Sequence, residues 1–194
     1  MKTKLIAAAA FAFFANIASA GVIVNGDFGT GDFTGWKTEG DVMITGTVEA
    51  TVAALYSGRG EGLYTTISQA IELDAGDVLT GYAEFFSLDY GRYNDTSFVS
   101  IGGAQLFARD VSNTPQATSS GPVKFSYTAA TAGVYQLVAG VANIGDNVNS
   151  SYLHVWNFAI ADANPVPEPG NVALFGLGLF GAAAVRRKFA AKRG

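Results

Sequence analysis

Short runs of β-favouring residues, separated by turn residues, divide the middle of this 194-residue chain. Between residues 21 and 162 the runs are rich in Val, Ile, Thr, Tyr and Phe, and Gly, Asn and Asp recur between them. No stretch there shows a convincing helical period. These patterns predict an all-β domain, a β-sandwich or jelly roll. The predicted strands are 22–24, 42–47, 48–56, 63–72, 78–88, 97–101, 105–109, 123–128, 134–142 and 151–160.

The last predicted strand alternates along its length. One face is predicted to carry Tyr152, His154, Trp156, Phe158 and Ile160, and the other Leu153, Val155, Asn157 and Ala159. Because both sets are largely apolar, we expect this strand in the middle of a sheet that is covered on both sides.

Charge is divided unevenly between the domain and the chain ends. Residues 21–165 hold five basic and fifteen acidic residues, a net charge of −10, and the other basic residues lie in the two end segments. Phosphate binding needs clustered Lys and Arg, so nucleic acid is excluded as a partner. The chain has no cysteine and one histidine, which excludes disulfides, a Cys–His catalytic pair and a zinc cluster.

The N-terminal segment, residues 1–20, has the three parts of a secretory signal peptide. Lys2 and Lys4 precede an apolar run over residues 5–17, and Ala18, Ser19 and Ala20 fit the small-residue cleavage rule. Cleavage is therefore expected between Ala20 and Gly21, which implies contact with the secretion translocon and signal peptidase.

The C-terminal segment combines a polar motif, an apolar run and a basic tail. Residues 163–169 form a linker, and residues 170–185 carry no charge. As a helix those 16 residues would span about 24 Å, slightly less than a bilayer core of about 30 Å. We predict a transmembrane helix with residues 186–194 on the cytoplasmic side. The motif is Val166, Pro167, Glu168 and Pro169, and the basic residues are Arg186, Arg187, Lys188, Lys192 and Arg193.

This order of motif, apolar run and basic tail resembles the PEP-CTERM sorting signal of Gram-negative bacteria. The resemblance implies an exported protein that exosortase, a membrane enzyme, recognises and cuts at the tail. It further implies transient anchoring in the inner membrane, followed by release or attachment at the cell surface or in the extracellular matrix. A permanent anchor that is never cut is the alternative, and a buried C-terminal helix is a second one, disfavoured by the basic tail.

Three stretches of the domain resemble other exported domains. Residues 24–36 (VNGDFGTGDFTGW) resemble the opening of many PEP-CTERM proteins and of carbohydrate-binding jelly rolls, and residues 85–90, 94–99 and 143–158 resemble later segments of such domains. In carbohydrate-binding jelly rolls, a glutamate of the opening and an aspartate of the closing strand often help to hold calcium. Gly29 and Trp156 occupy those positions here, so the resemblance implies that this calcium site is absent or rebuilt.

Few residues suggest chemistry of their own. His154 is interpreted as a core or surface histidine rather than a catalytic base, and no G-x-S-x-G motif is present. Asp89, Asn94 and Asp95 are weak calcium candidates, with turn capping as the alternative. No other cofactor is predicted.

The sequence leaves three functional hypotheses open. The first is a non-enzymatic surface or matrix protein, which the family resemblance associates with exopolysaccharide and biofilm. The second is a carbohydrate-binding module, and the third, a hydrolase, has no identifiable pair of carboxylates. Exposed aromatic residues would stack on sugar rings, but filling of the sandwich core is the favoured interpretation for Trp36 and Trp156. The aromatic candidates are Trp36, Tyr90, Tyr93 and Trp156.

Overall fold

The computed structural model describes residues 21–47 and 50–163, and every regular element in these ranges is a β-strand. This confirms the all-β prediction. The strands are β1 (Lys37–Glu39), β2 (Asp41–Thr47), β3 (Ala50–Tyr56), β4 (Thr65–Leu73), β5 (Val78–Ser87), β6 (Thr96–Ile101), β7 (Ala104–Asp110), β8 (Thr118–Ser119), β9 (Val123–Thr128), β10 (Gly133–Ala142) and β11 (Tyr152–Ala161).

The strands form two antiparallel sheets that pack face to face. One sheet has five strands in the order β1-β4-β10-β6-β7. The other has six, in the order β2-β3-β11-β5-β8, and β9 also pairs with β5. The β-sandwich prediction is therefore confirmed. The last strand, β11, lies between β3 and β5, which confirms its predicted central position. The prediction that its sheet is covered on both sides is wrong, because the side chains on the outer face of β11 are only half-buried.

Alternating side chains of both sheets fill the space between them. In β10, Leu137, Ala139 and Val141 are fully buried, and they face β11 residues such as Leu153 and Val155 of the opposite sheet. Burial of this apolar surface is the main stabilising contribution to the fold, at about 25 cal/mol per Å².

The opening segment, residues 21–36, is not the strand predicted over 22–24. It is held by tight turns instead, in which Phe28 N–H donates to the Asn25 carbonyl and Trp36 N–H to the Phe33 carbonyl. The Trp36 indole N–H also donates to the Asn25 carbonyl, at 3.1 Å. Phe28 and Trp36 thereby enter the core, which closes the sandwich edge without a further strand.

Two other differences from the sequence prediction concern short elements. The sequence does not predict β1 or β8, because strands of three and two residues are too short to show a period. The predicted strand 48–56 is β3, which begins at residue 50.

The predicted faces of β11 are correct only as far as Trp156. A β-bulge shifts the register between Trp156 and Ala159, and Asn157 adopts a left-handed conformation with φ of 53°. After the bulge Phe158 lies on the core side with Leu153, whereas Tyr152, His154 and Trp156 lie on the outer side. The prediction of one unbroken face from Tyr152 to Ile160 is thus wrong, because it assumed a strict period of two.

Several predicted segments lie outside the described residues. These are the signal peptide 1–20, the motif Val166–Pro169 with most of its linker, the apolar segment 170–185 and the basic tail 186–194. Among the residues that the structure describes, no helix is long and apolar enough to cross a membrane.

Candidate functional site

The outer surface of the six-stranded sheet carries six ring side chains on its three central strands. Since successive side chains of a strand alternate between faces, the residues next to them fill the core and these six point outward. All six are half-buried. This surface, called the aromatic face, consists of Tyr56 on β3, Tyr82 and Phe86 on β5, and Tyr152, His154 and Trp156 on β11.

One row of the aromatic face crosses the sheet at the start of β11. Tyr152 pairs with Tyr56 on one side and with Phe86 on the other. The rings of Phe86 and Tyr152 are stacked, with centroids 4.5 Å apart and planes at 11°. The Tyr56 ring lies 5.6 Å beyond Tyr152, tilted by 33°. The row therefore forms a continuous band of three rings.

A second row crosses the sheet four residues further along β11. Trp156 pairs with Tyr82, and their rings are stacked at 5.5 Å with planes at 14°. The Lys124 ammonium of β9 lies 6.0 Å from the centroid of the Tyr82 ring, within reach of a cation–π contact. Since a strand rises about 3.4 Å per residue, the two rows are about 14 Å apart.

Polar groups occupy the strip between the two rows. His154 contacts Phe86 and Tyr152, with ring centroids at 4.8 and 5.1 Å. Its cross-strand neighbour Glu84 accepts a hydrogen bond of 2.6 Å from the Ser119 hydroxyl. The aromatic face thus places hydrogen-bonding groups between two apolar bands.

Burial sets the protonation of two members of the aromatic face. It lowers the pKa of His154, against a smaller opposing influence of the Glu84 carboxylate. It also raises the pKa of Tyr152, and the charges of Tyr56 and Glu84 add to that rise. At neutral pH His154 is uncharged and offers one donor and one acceptor, so the surface suits a ligand with flat apolar faces and hydroxyl groups.

The predicted aromatic candidates fall into three different places. Trp36 is a core residue with 7% exposure, whereas Trp156 lies on the aromatic face. Tyr90 is 52% exposed and packs edge-on against Tyr93 in the segment after β5. Of the four candidates, only Trp156 therefore belongs to the aromatic face.

Sequence reasoning missed four of the rings: Tyr56, Tyr82, Phe86 and Tyr152. The alternation of Tyr152, His154 and Trp156 along the chain indicates that these three rings share one face of β11. The partners on β3 and β5 depend on strand pairing, which no local pattern shows.

The calcium candidates serve as loop anchors in the described structure. Asp89 accepts a hydrogen bond from the Tyr90 N–H at 3.0 Å, and Asn94 accepts one from the Ser112 N–H at 2.9 Å. Asp95 is fully buried and accepts from the N–H groups of Ile144 and Ser151.

These contacts agree with turn capping, the alternative to calcium binding. Burial also raises the pKa of Asp89, with smaller contributions from the charges of Asp95 and Asp146. Within residues 21–47 and 50–163, no three His, Cys, Asp or Glu side chains are grouped so as to hold a metal ion. Calcium binding stays a prediction.

The C-terminal tail is similar to a known family of sorting signals. Residues 165–188 match the family model described as the PEP-CTERM protein-sorting motif. The match confirms the predicted resemblance of the tail and marks the chain as an exported protein that exosortase sorts. No protein of curated function matches the sequence.

Several solved structures are similar to the domain. TmCBM61, in complex with beta-1,4-galactotriose, is 18% identical, with 74% of this chain and 99% of that chain covered and a TM-score of 0.47. The cleaved adhesin domain of Lys-gingipain from Porphyromonas gingivalis is 13% identical, with coverages of 72% and 99% and a TM-score of 0.48. A Stig cyclase, Fisc from Fischerella sp. TAU, is 13% identical, with coverages of 75% and 98% and a TM-score of 0.42. The similar structures thus include both carbohydrate-binding modules and cyclases.

Proposed function

We propose that this exported, PEP-CTERM-bearing chain is a non-enzymatic protein of the cell surface or extracellular matrix whose domain binds polysaccharide. The aromatic face is the observation that carries the proposal. The ligand would be an exopolysaccharide, which connects the domain with biofilm formation.

Folding alone does not require the aromatic face. A sandwich needs only the inner faces of its sheets to be apolar, and the core here is complete without these six rings. Their partial exposure and their arrangement in two bands suit a long ligand with repeated apolar faces. Sugar rings offer such faces together with hydroxyl groups, for which Glu84 and His154 supply partners.

Charge favours an uncharged polysaccharide. The domain is strongly acidic, and among residues 21–47 and 50–163 Lys124 is the single cation that contacts a ring of the aromatic face. An anionic polymer would be repelled by a net charge of −10 and would meet one ammonium group there.

The placement of carboxylates supports a binding role over hydrolysis. Glycosidases place two carboxyl groups about 5 to 9.5 Å apart. Glu84 on β5 and Asp41 at the β2 edge are separated by two intervening strands, hence by about 14 Å at about 4.8 Å per strand. This backbone spacing is wider than the carboxyl separation of either glycosidase geometry.

Affinity electrophoresis tests polysaccharide binding. The mature protein, purified from its host, would be run through gels containing the host exopolysaccharide, galactan, mannan, xylan or soluble cellulose derivatives. We expect retardation by at least one polymer, and the double variant Tyr82→Ala/Trp156→Ala to bind at least about tenfold more weakly, which corresponds to about 1.4 kcal/mol.

Tyr90→Ala is the matched control, since it removes an exposed ring outside the aromatic face. An equal loss of binding in Tyr90→Ala would indicate that the binding site lies in the loops and not on the aromatic face. Absence of retardation in every polymer would refute polysaccharide binding.

The sorting proposal is tested separately by intact-mass spectrometry of the protein from the host envelope and medium. Cleavage by exosortase predicts a mature chain from Gly21 to near residues 166–169. Replacing Pro167, Glu168 and Pro169 with alanine should leave the tail uncut and the domain folded. A native chain that always runs to Gly194 would establish the permanent anchor instead.

A further inference from the structure

A separate hollow lies on the outer surface of the five-stranded sheet, on the side of the sandwich opposite the aromatic face. It encloses about 340 Å³, near the lower end of the range typical of ligand sites, which is about 300–1,000 Å³. Its walls include Tyr64, Thr96, Phe98, Gln105, Arg109 and Asp110. This volume suits one or two sugar rings rather than a long chain.

The aromatic corner of the hollow depends on two small neighbours. Phe98 on β6 pairs with Gly140 on β10 and with Ala108 on β7. A Cβ atom on Gly140 would lie 2.7 Å from Cε1 of Phe98, so the ring rests on bare backbone. Tyr64 stands edge-on to it, with centroids 5.4 Å apart and planes at 73°. The Phe98 ring is therefore held close to the sheet backbone and forms a flat surface, called the platform.

Polar groups surround this platform. The Arg109 Nη1 donates to the Ala108 carbonyl at 2.7 Å, which holds the guanidinium at the edge strand while its other N–H groups remain for a ligand. A β-bulge between Val99 and Ser100 brings Gln105 opposite Ser100. Asp110 is fixed by bonds from the Ser112 hydroxyl and the Asn113 N–H. The rim therefore offers both donors and acceptors in fixed positions.

We propose that this hollow is a second binding site, which takes one or two units of a neutral saccharide stacked on Phe98. Hydroxyl groups of the sugar would pair with Arg109, Gln105 and Asp110. Arg109 and Asp110 balance each other in charge, and the acidic domain disfavours an anionic sugar. The site does not depend on polysaccharide binding by the aromatic face, since the two surfaces belong to different sheets.

Saturation-transfer NMR on the full chain in detergent tests this site with soluble probes. The probes are the methyl glycosides of glucose, galactose, mannose and N-acetylglucosamine, and cellobiose and lactose. We expect signal from at least one probe in the native protein and in Trp156→Ala. The variants Phe98→Leu and Arg109→Gln should weaken binding at least about tenfold. Arg109→Gln leaves the packing of Phe98 on Tyr64 intact, but it removes the guanidinium that lies 5.5 Å from the centroid of the Phe107 ring. An unchanged Tm of this variant is therefore the control for folding.

Two results would overturn the proposal: no signal from any probe, or a signal that Trp156→Ala abolishes and both hollow variants keep. The second result would support the aromatic face alone. If polysaccharide retards the protein in gels but no soluble sugar gives an NMR signal, the hollow is not a binding site, and the proposed function of the aromatic face still stands.

Discussion

Trp156 and Phe158 stand two positions apart on β11 and yet point to opposite faces of the six-stranded sheet. Trp156 stacks on Tyr82 at the outer surface, while Phe158 is 4% exposed and packs on Trp36 in the core at 5.1 Å. Asn157 separates them with φ of 53°, and the Phe158 N–H donates to the Gly26 carbonyl of the opening segment instead of to a neighbouring strand. The β-bulge therefore places Trp156 in the candidate site and Phe158 in the core.

The bulge should be sensitive to the side chain at position 157. A β-branched residue is strained at positive φ, so we expect Asn157→Val to lower the free energy of unfolding by about 1–2 kcal/mol. Asn157→Gly is the matched control and should change stability little, since glycine adopts this conformation freely. Urea denaturation of the two variants measures the difference. Equal stability would mean that the left-handed conformation is not maintained.

The contact between the opening segment and β11 leaves no room at Gly26. A Cβ atom there would collide with the Phe158 carbonyl oxygen. We expect Gly26→Ala to destabilise the domain by about 1–3 kcal/mol, seen as a lower Tm in thermal unfolding. Gly133→Ala is the control, because a Cβ at that position meets nothing within 4 Å. An unchanged Tm for Gly26→Ala would show that the opening segment is not held against the bulge.

The Asp95 side chain joins two loops, the one before β6 and the one between β10 and β11. Its buried carboxylate accepts from the backbone of Ile144 and Ser151, and the Asn143 amide lies 2.7 and 2.8 Å from its two oxygens in the orientation that lets nitrogen donate. Asp95→Asn would set an NH₂ group against these donors, so we expect a loss of at least about 2 kcal/mol in chemical denaturation. Asp146→Asn, which alters a carboxylate bonded to one exposed N–H, should cost much less. Similar losses of unfolding free energy in Asp95→Asn and Asp146→Asn would contradict the role of Asp95 in holding the loops together.

Stability should depend on pH through His154. Burial lowers its pKa in the folded protein below the ordinary value of 6.5, so the unfolded chain binds the proton more readily. The stability that neutral His154 contributes is therefore fully present above pH 6.5. It is lost as the pH falls from 6.5 towards the lowered pKa, because the unfolded chain takes up the proton first. Glu84, which faces His154, reduces the effect without reversing it.

His154→Gln should remove this part of the pH dependence. Urea midpoints measured on both proteins from about pH 7.5 downward would show a smaller decrease in the variant. Parallel curves for the two proteins would mean that His154 keeps its ordinary pKa when folded.

The sequence by itself determined the all-β class, most strand positions and the sorting signal, because each of these depends on local order along the chain. Alternation along the last strand placed Leu153 and Val155 on one face, which the structure shows to be buried in the core, and turn residues marked where strands end. The tail motif likewise needs only its own residues to be recognised.

Only the tertiary structure decided the candidate sites. Trp36 and Trp156 look alike in sequence, but the turn that begins at Asn25 takes the first into the core and the bulge at Asn157 leaves the second outside. Tyr82 and Phe86 lie beside Trp156 and Tyr152 because β5 pairs with β11, which follows it by some 65 residues of chain. Likewise, Gly140 leaves room for the Phe98 ring only because the two residues are paired across β10 and β6. Strand order and register arise from packing of the whole core, so residues distant in sequence become neighbours that no local pattern records.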